Sequence, residues 1–177
     1  MSVLIALLII IGSLIAVILI AATVVKKEYT VLREVTIGKN SQVIFDYIRI
    51  VKNQNNYSKW VMMDANVKRD YLGTDGTEGF VMRWDSENKN VGKGEQEIKR
   101  IVEGRRIDSE VRFERPFKNV AQTFMAATPV SEENTKVQWG MVGKNPYPFN
   151  LMNLFIPDML GKDLETSLTT LKKELEK

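Results

Sequence analysis

Residues 107–114 read IDSEVRFE. Ile107, Ser109, Val111 and Phe113 fall on one side of an extended chain, and Asp108, Glu110, Arg112 and Glu114 fall on the other. A strand written this way has one dry face and one wet face, as in an antiparallel sheet packed on one side only. The pattern continues in both directions. Upstream, Glu95 to Val102 reads as a strand, with Gly92 and Gly94 marking a bulge at its start. Before it, Phe80, Met82 and Trp84 alternate with Val81, Arg83 and Asp85, and Val67, Arg69 and Tyr71 alternate with Lys68, Asp70 and Leu72. Downstream, Pro116 ends the run, and Val120–Thr128 and Thr135–Val142 are two more strands joined by SEEN at 131–134. A further strand, Tyr29 to Ile37, precedes them all, with Arg33 interrupting its apolar face.

Helical spacing brackets the strands. Val43, Ile44, Tyr47, Ile48 and Val51 lie on one face of a helix that Asn40 or Ser41 can cap, and the polar run NQNN at 53–56 is expected to end it. Tyr57 to Trp60 suggests a short helix or turn. Near the C-terminus, Pro157 suits a first helical turn, and Leu160, Leu164, Leu168, Leu171 and Leu175 form a single apolar stripe. The order predicts an α+β domain over residues 28–177: a curved antiparallel sheet of about seven strands, with the long C-terminal helix on its concave face.

Residues 1–27 are of another kind. Val3 to Val25 runs without a charge, a proline or an aromatic. A helix of that length spans roughly 34 Å, enough to cross a hydrocarbon core of about 30 Å. It is too long for the core of a signal peptide, its n-region is only Met1-Ser2, and no small-x-small cleavage site follows clearly. A buried core helix would carry a polar stripe, and this one has none. The expectation is a single-pass membrane anchor, with Gly12 and Ala16 as a small-residue pair of the kind that lets two spans pack closely. Lys26 and Lys27 follow it directly and place the domain on the cytoplasmic side by the positive-inside rule.

Composition excludes several chemistries. The chain contains no cysteine and no histidine. Disulfides, thiolate nucleophiles and histidine-based triads are therefore absent, as are the commonest general base and metal ligand. Setting aside Lys26 and Lys27, the net charge falls from +3 to +1. Nucleic acid is not an expected partner of so neutral a domain. The glycine-rich GTDGTEG at 73–79 lacks the Gly-Lys-Ser/Thr ending of a phosphate loop. Glu95 and Glu97 share a face opposite Ile98 and read as a solvated pair; Asp64, Asp70, Asp75 and Glu78 match no cation-loop spacing. No cofactor or metal is implied.

Several stretches carry a family resemblance: YTVLREVTIGKNSQVIFDYI at 29–48, NNYSKW at 55–60, YLGTDGTEGFVMRW at 71–84, GKGEQEIKRI at 92–101 and KVQWG at 136–140. Together they resemble the SRPBCC superfamily, which has the START-like helix-grip fold, and within it the polyketide cyclase/dehydrase-type branch. The resemblance covers residues 28–177 and implies an internal cavity between sheet and helix. It implies no single activity, because members bind lipids, sterols, polyketides or quinones, or assist chaperones.

Strand parity then nominates a ligand site. Met82, Trp84, Ile98, Val111, Phe113, Phe124, Val137, Trp139 and Met141 are expected to face inward, with the uncharged polar residues Gln96, Ser109 and Gln122 among them and Tyr71 nearby. Two explanations of the polar row stand. Either these groups bond to one another, to Tyr71 or to water in an imperfect core, or they fix the polar end of a ligand whose apolar body the aromatic and Met side chains cover. Three functions remain open on this reading: a membrane-anchored domain binding a lipid-like or polyketide-like molecule, a cyclase or dehydrase using acid–base groups in the cavity, and a stress or chaperone-type factor. The missing histidine weighs against the enzyme.

Overall fold

The computed structural model describes residues 3–177; Met1 and Ser2, the expected n-region, lie outside the described residues. Helix α1 runs Val3–Val24 and stands clear of the rest of the chain for most of its length, its large apolar side chains uncovered. Three residues later the domain begins. Its strands are β1 Glu28–Ile37, β2 Lys68–Leu72, β3 Val81–Asp85, β4 Lys93–Val102, β5 Arg106–Arg115, β6 Asn119–Pro129 and β7 Thr135–Lys144. They form one antiparallel sheet in the order β1-β7-β6-β5-β4-β3-β2. Consecutive strands are neighbours from β2 to β7, as short turns require, and β1 closes on β7 in a continuous register from Glu28↔Lys144 to Ile37↔Thr135.

Helix α2 (Ser41–Ile48) is capped by the Asn40 side chain, which accepts from the Gln42 N–H. It buries Ile44, Phe45 and Ile48. The helix stops there, short of the expected Val51. Residues Val51–Asn56, including the NQNN run, instead form a 3₁₀ helix. Asp75 explains why: its carboxylate accepts from the N–H groups of Val51 and Lys52 at 2.8 and 3.0 Å, capping the new helix from the glycine-rich turn. Gly76 in that turn sits at φ 77, where an L side chain is strained, and its carbonyl accepts from Arg49. The turn is a clamp on the α2–3₁₀ junction. A short α3 (Lys59–Met62) follows.

Helix α4 (Ile156–Leu175) lies along β1 and β7, with Leu164, Leu168 and Leu171 fully buried. It covers one side of the concave face, while α2, the 3₁₀ helix and α3 cover the centre. Gly161 allows α4 to approach closely, since a Cβ there would meet the Arg33 guanidinium at 2.1 Å. Glu176 and Lys172 tie its far end to Gly38, just past β1, and to Thr36 of β1.

Candidate ligand site on the concave face

The inward face is built in cross-strand rows. Met82, Gln96, Val111, Ala121 and Gly143 are register partners in one, and Ile98, Ser109, Thr123 and Met141 in the next. Ile107, Met125 and Trp139 make a third. The register shifts at Lys93/Gly94, where the extra residue Glu114 lies on β5 rather than at the β4 glycines. Gly94, Gln96 and Ile98 keep one parity, and a second shift, with Lys99 as the extra residue, breaks it beyond Ile98. Trp139 anchors the centre. Its indole N–H donates to the Thr123 hydroxyl at 3.1 Å, which in turn donates to the Gly140 carbonyl at 2.9 Å. Tyr57 and Trp60 meet its ring edge-on at 5.9 and 6.0 Å. Tyr57 is fully buried with its hydroxyl toward the Met125 sulfur, and burial pushes that phenol far above its ordinary pKa. It is a neutral wall, not an acid.

Where α2 and the 3₁₀ helix cross over these rows, a cavity of about 10 Å³ remains. Its polar lining is Gln54, Gln96, Ser109 and Thr123, and its apolar lining includes Ile48, Val51, Ile107, Met125 and Trp139. Such a volume accommodates about one water molecule, far less than the internal ligand cavity that the resemblance implies. The reason is steric. Trp139, Tyr57 and Met125 fill the space between sheet and helices, so the concavity is closed in this state. Gln54 and Ser109 are buried and Gln96 is half-buried. Among the described residues none of the three side chains bonds to protein, and their polar atoms are not fully enclosed but open on the cavity.

Of the residues read from the sequence, Gln96, Ser109 and Trp139 meet at this cavity. Met82, Ile98, Val111 and Met141 are buried on the same face beside it. Trp84 and Phe113 pack edge to face at 6.0 Å nearer the α1 end of the sheet, with the Trp84 N–H on the Val91 carbonyl. Tyr71 stacks on Phe80 beneath the Lys52 ammonium, away from the cavity. Gln122 and Phe124 are corrected: both side chains point to the convex face. Gln122 donates to Glu110 at 2.8 Å, and although Phe124 borders the cavity, its ring lies across Gly140 with the Arg106 guanidinium 3.8 Å above it. The inward side of β6 is Ala121, Thr123, Met125 and Ala127, of which the alanines and the threonine are small enough to admit α2. Gln54 was missed because its run reads as a polar helix end; no periodic signal marks a single inward residue in a 3₁₀ turn.

The convex face holds the carboxylates. Glu95, Glu97 and Glu110 surround Arg112 at 2.7, 2.8 and 2.5 Å, with Arg83 on Glu95 and Lys99 on Glu97. Hydrogen bonds to these partners hold all three carboxyls below their usual range; Gln122 contributes first for Glu110. Among the described residues no group of acidic side chains is arranged to hold a metal ion.

A second cleft, of about 370 Å³, lies where α1 meets the domain. Val24, Val25, Tyr29, Leu154 and Pro157 line it, with Lys26, Glu28 and Asn153.

Comparison with solved structures decides the architecture. Norcoclaurine synthase from Thalictrum flavum superposes with a TM-score of 0.65 over 88% of this chain and 90% of its own, at 8% identity. The fold is START-like helix-grip. Ara h 8.0201 matches the helix-grip domain with a TM-score of 0.57 at 11% identity, over 84% of this chain and 97% of its own. A Chromobacterium violaceum protein matches with a TM-score of 0.60 at 14% identity, over 84% and 97%. At such identities the helix-grip likeness concerns fold alone. No family model and no curated protein matches the sequence.

Proposed function

We propose that this chain is a membrane-anchored helix-grip module that binds an apolar or amphipathic small molecule on its concave face. One observation carries the reading: Gln54, Gln96 and Ser109, none bonded to protein, line one small cavity in an otherwise apolar core. Leaving such groups unpaired would cost about 1–3 kcal/mol each, so polar side chains that open on a cavity without a protein partner call for a water or a ligand's polar group there. In a binding site they orient the polar end of a ligand, and the apolar body lies against Trp139, Met125 and the neighbouring Met82, Ile98, Val111 and Met141. The outer rows with Trp84, Phe113 and Tyr71 form the extremities of that wall.

Since the cavity is about 10 Å³, ligand binding requires its cover to move. The mobile part of the proposal is the segment Val51–Met62, two short helices bonded to Asp75 at one end and to Ser167 and Asp163 at the other, with Asn53 and Asn56 on Tyr47 and the Tyr57 ring in the core between them. The lining is uncharged, and the nearby carboxylates are engaged on the opposite face, which favours binding over acid–base catalysis. Norcoclaurine synthase, a neighbour in fold, is described in complex with dopamine and hydroxybenzaldehyde, which supports the use of this architecture for small molecules. Assignment to the polyketide cyclase/dehydrase-type branch of the START-like superfamily is part of this proposal and rests on the sequence resemblance alone. In this proposal α1 is the anchor, and the Lys26-Lys27 pair that follows it favours a cytoplasmic domain by the positive-inside rule.

The test is photo-crosslinking of the full chain in lipid nanodiscs with a diazirine-bearing fatty acid. Label is expected on peptides containing Gln54, Gln96 and Ser109, and its loss is expected in the Gln54→Leu, Gln96→Leu double variant. Labelling confined to α1, or unchanged by the double variant, overturns the proposal.

A further inference from the structure

Between β7 and α4 the chain reads NPYPFNLMNL, residues 145–154, and Phe149–Leu154 forms a second 3₁₀ helix. At three residues per turn its faces separate cleanly. Asn150 and Asn153 point inward, at 0% and 9% exposure, while Phe149, Met152 and Phe155 share the outer face at 63%, 51% and 73%. The inward asparagines grip the end of α1. Asn150 donates to the carbonyls of Ala22 and Val25 at 2.7 and 2.8 Å, and Asn153 donates to that of Lys26 at 2.9 Å. Ala22 carries one of the C-terminal carbonyls that the helix itself leaves without donors, and Val25 and Lys26 follow directly after it. Tyr147 reaches further back, its hydroxyl 3.4 Å from the Leu19 carbonyl.

This geometry sets depth. Leu19 precedes the last residue of α1 by five positions, roughly 7 Å along the axis. The segment therefore lies beside the last turns of α1 rather than beyond them. A bilayer that covers α1 to its end also meets Phe149, Met152 and Phe155. The turn between β5 and β6 is at this same end of the sheet, since Phe113 pairs with Asn119, and it exposes Phe117 at 75% beside Lys118. Asn119 is linked to the grip through Asn145, which bonds Asn153 at 2.7 Å. The turns at the opposite end carry Lys39, Glu103, Arg105, Glu132 and Glu133 instead.

We infer that the outer face of residues 147–155, joined by Phe117, is a membrane-docking surface seated at the headgroup–acyl boundary of the bilayer that α1 crosses. Aromatic and methionine side chains beside lysines are the composition that this boundary favours. The occupant is the lipid surface itself, because the patch is continuous with the apolar surface of α1 and hydrogen-bonded to its backbone. The cleft lined by Val24, Val25, Tyr29, Leu154 and Pro157 then opens at headgroup level. The inference rests on α1 being a retained span.

Depth measurement separates the two claims. The described chain has no cysteine, so single Ile9→Cys, Phe149→Cys, Phe155→Cys and Glu133→Cys variants of the full chain each take one nitroxide label. In phosphatidylcholine/phosphatidylglycerol vesicles, labels at 9, 149 and 155 should show an oxygen-to-nickel-chelate accessibility ratio several-fold above that at 133. Phe149 and Phe155 are exposed, so the substitutions leave the core untouched. A lipid-like value at 9 with water-like values at 149 and 155 overturns the docking surface and keeps the span. A water-like value at 9 overturns the span.

Discussion

The side-chain amide of Asn150 donates to the carbonyl of Val25 at 2.8 Å, across 125 residues of sequence. Through this bond and its companion to Ala22, the domain completes the C-terminus of a helix that projects away from it. Asn150 is fully buried, and its Oδ1 is wholly enclosed without a partner. Asn150→Ala removes both donors and leaves the carbonyls exposed to no alternative. We expect a loss of about 1–3 kcal/mol in the stability of the junction. Faster proteolysis after Lys26 or Lys27 in the full chain, relative to the wild type, measures it; equal cleavage rates would show that the grip contributes nothing.

Asp75 governs access to the concave face through its two bonds to the 3₁₀ helix at Val51–Asn56. Asp75→Ala should destabilise the domain by about 0.5–2 kcal/mol, the range for a lost helix cap. Amide exchange should accelerate locally over residues 51–58 while the β5–β7 core keeps its protection. Uniform acceleration across the sheet would place the effect on global stability instead.

Gln54 and Gln96 should respond oppositely to the two readings of the polar row. Their joint replacement by leucine is expected to raise the thermal midpoint, because two amides without protein partners leave the cavity wall, and to eliminate fatty-acid crosslinking. Gln122→Leu, on the convex face, should leave crosslinking unchanged. A fall in thermal stability of the double variant would mean that the two amides satisfy each other in solution.

The acidic cluster around Arg112 makes stability depend on pH in a defined direction. The carboxyls of Glu95, Glu97 and Glu110 are held below the ordinary glutamate value of 4.5 in the folded chain by hydrogen bonds to Arg83, Lys99, Gln122 and Arg112. Their contribution is present above that value and is lost as pH falls through the lower folded values. Acid titration of the wild type should therefore show stability declining below about pH 4.5, the unfolded carboxyl range. Arg112→Leu should shift this decline to higher pH, since three mutually repelling carboxylates lose their shared cation. The groups are partly solvated, so 0.5 M salt should blunt the shift. An unaltered acid profile would remove Arg112 from the account.

Much of the fold is legible in single stretches of sequence. The strict alternation of IDSEVRFE dictates both the strand and its dry side, because a period of two admits no other face to bury. The leucine stripe of α4 and the uncharged run of α1 are equally local, each following from one periodicity or its absence. The strand order follows as well, since short turns force sequential neighbours.

Tertiary packing decided what periodicity leaves ambiguous. In VAQTFMAAT at 120–128 the larger side chains Val120, Gln122 and Phe124 suggest an inner face, yet they lie outside. Gly140, the register partner of Phe124 on β7, leaves room on the convex side for its ring, and the approach of α2 on the concave side demands alanine and threonine. Gln54 was placed by Asp75, more than twenty residues away, and Asn150 by a helix at the other end of the chain. A sequence pattern records how each segment divides water from core. Which neighbour fills that core, and how much space it leaves, depends on side chains that meet only once the sheet has closed over them.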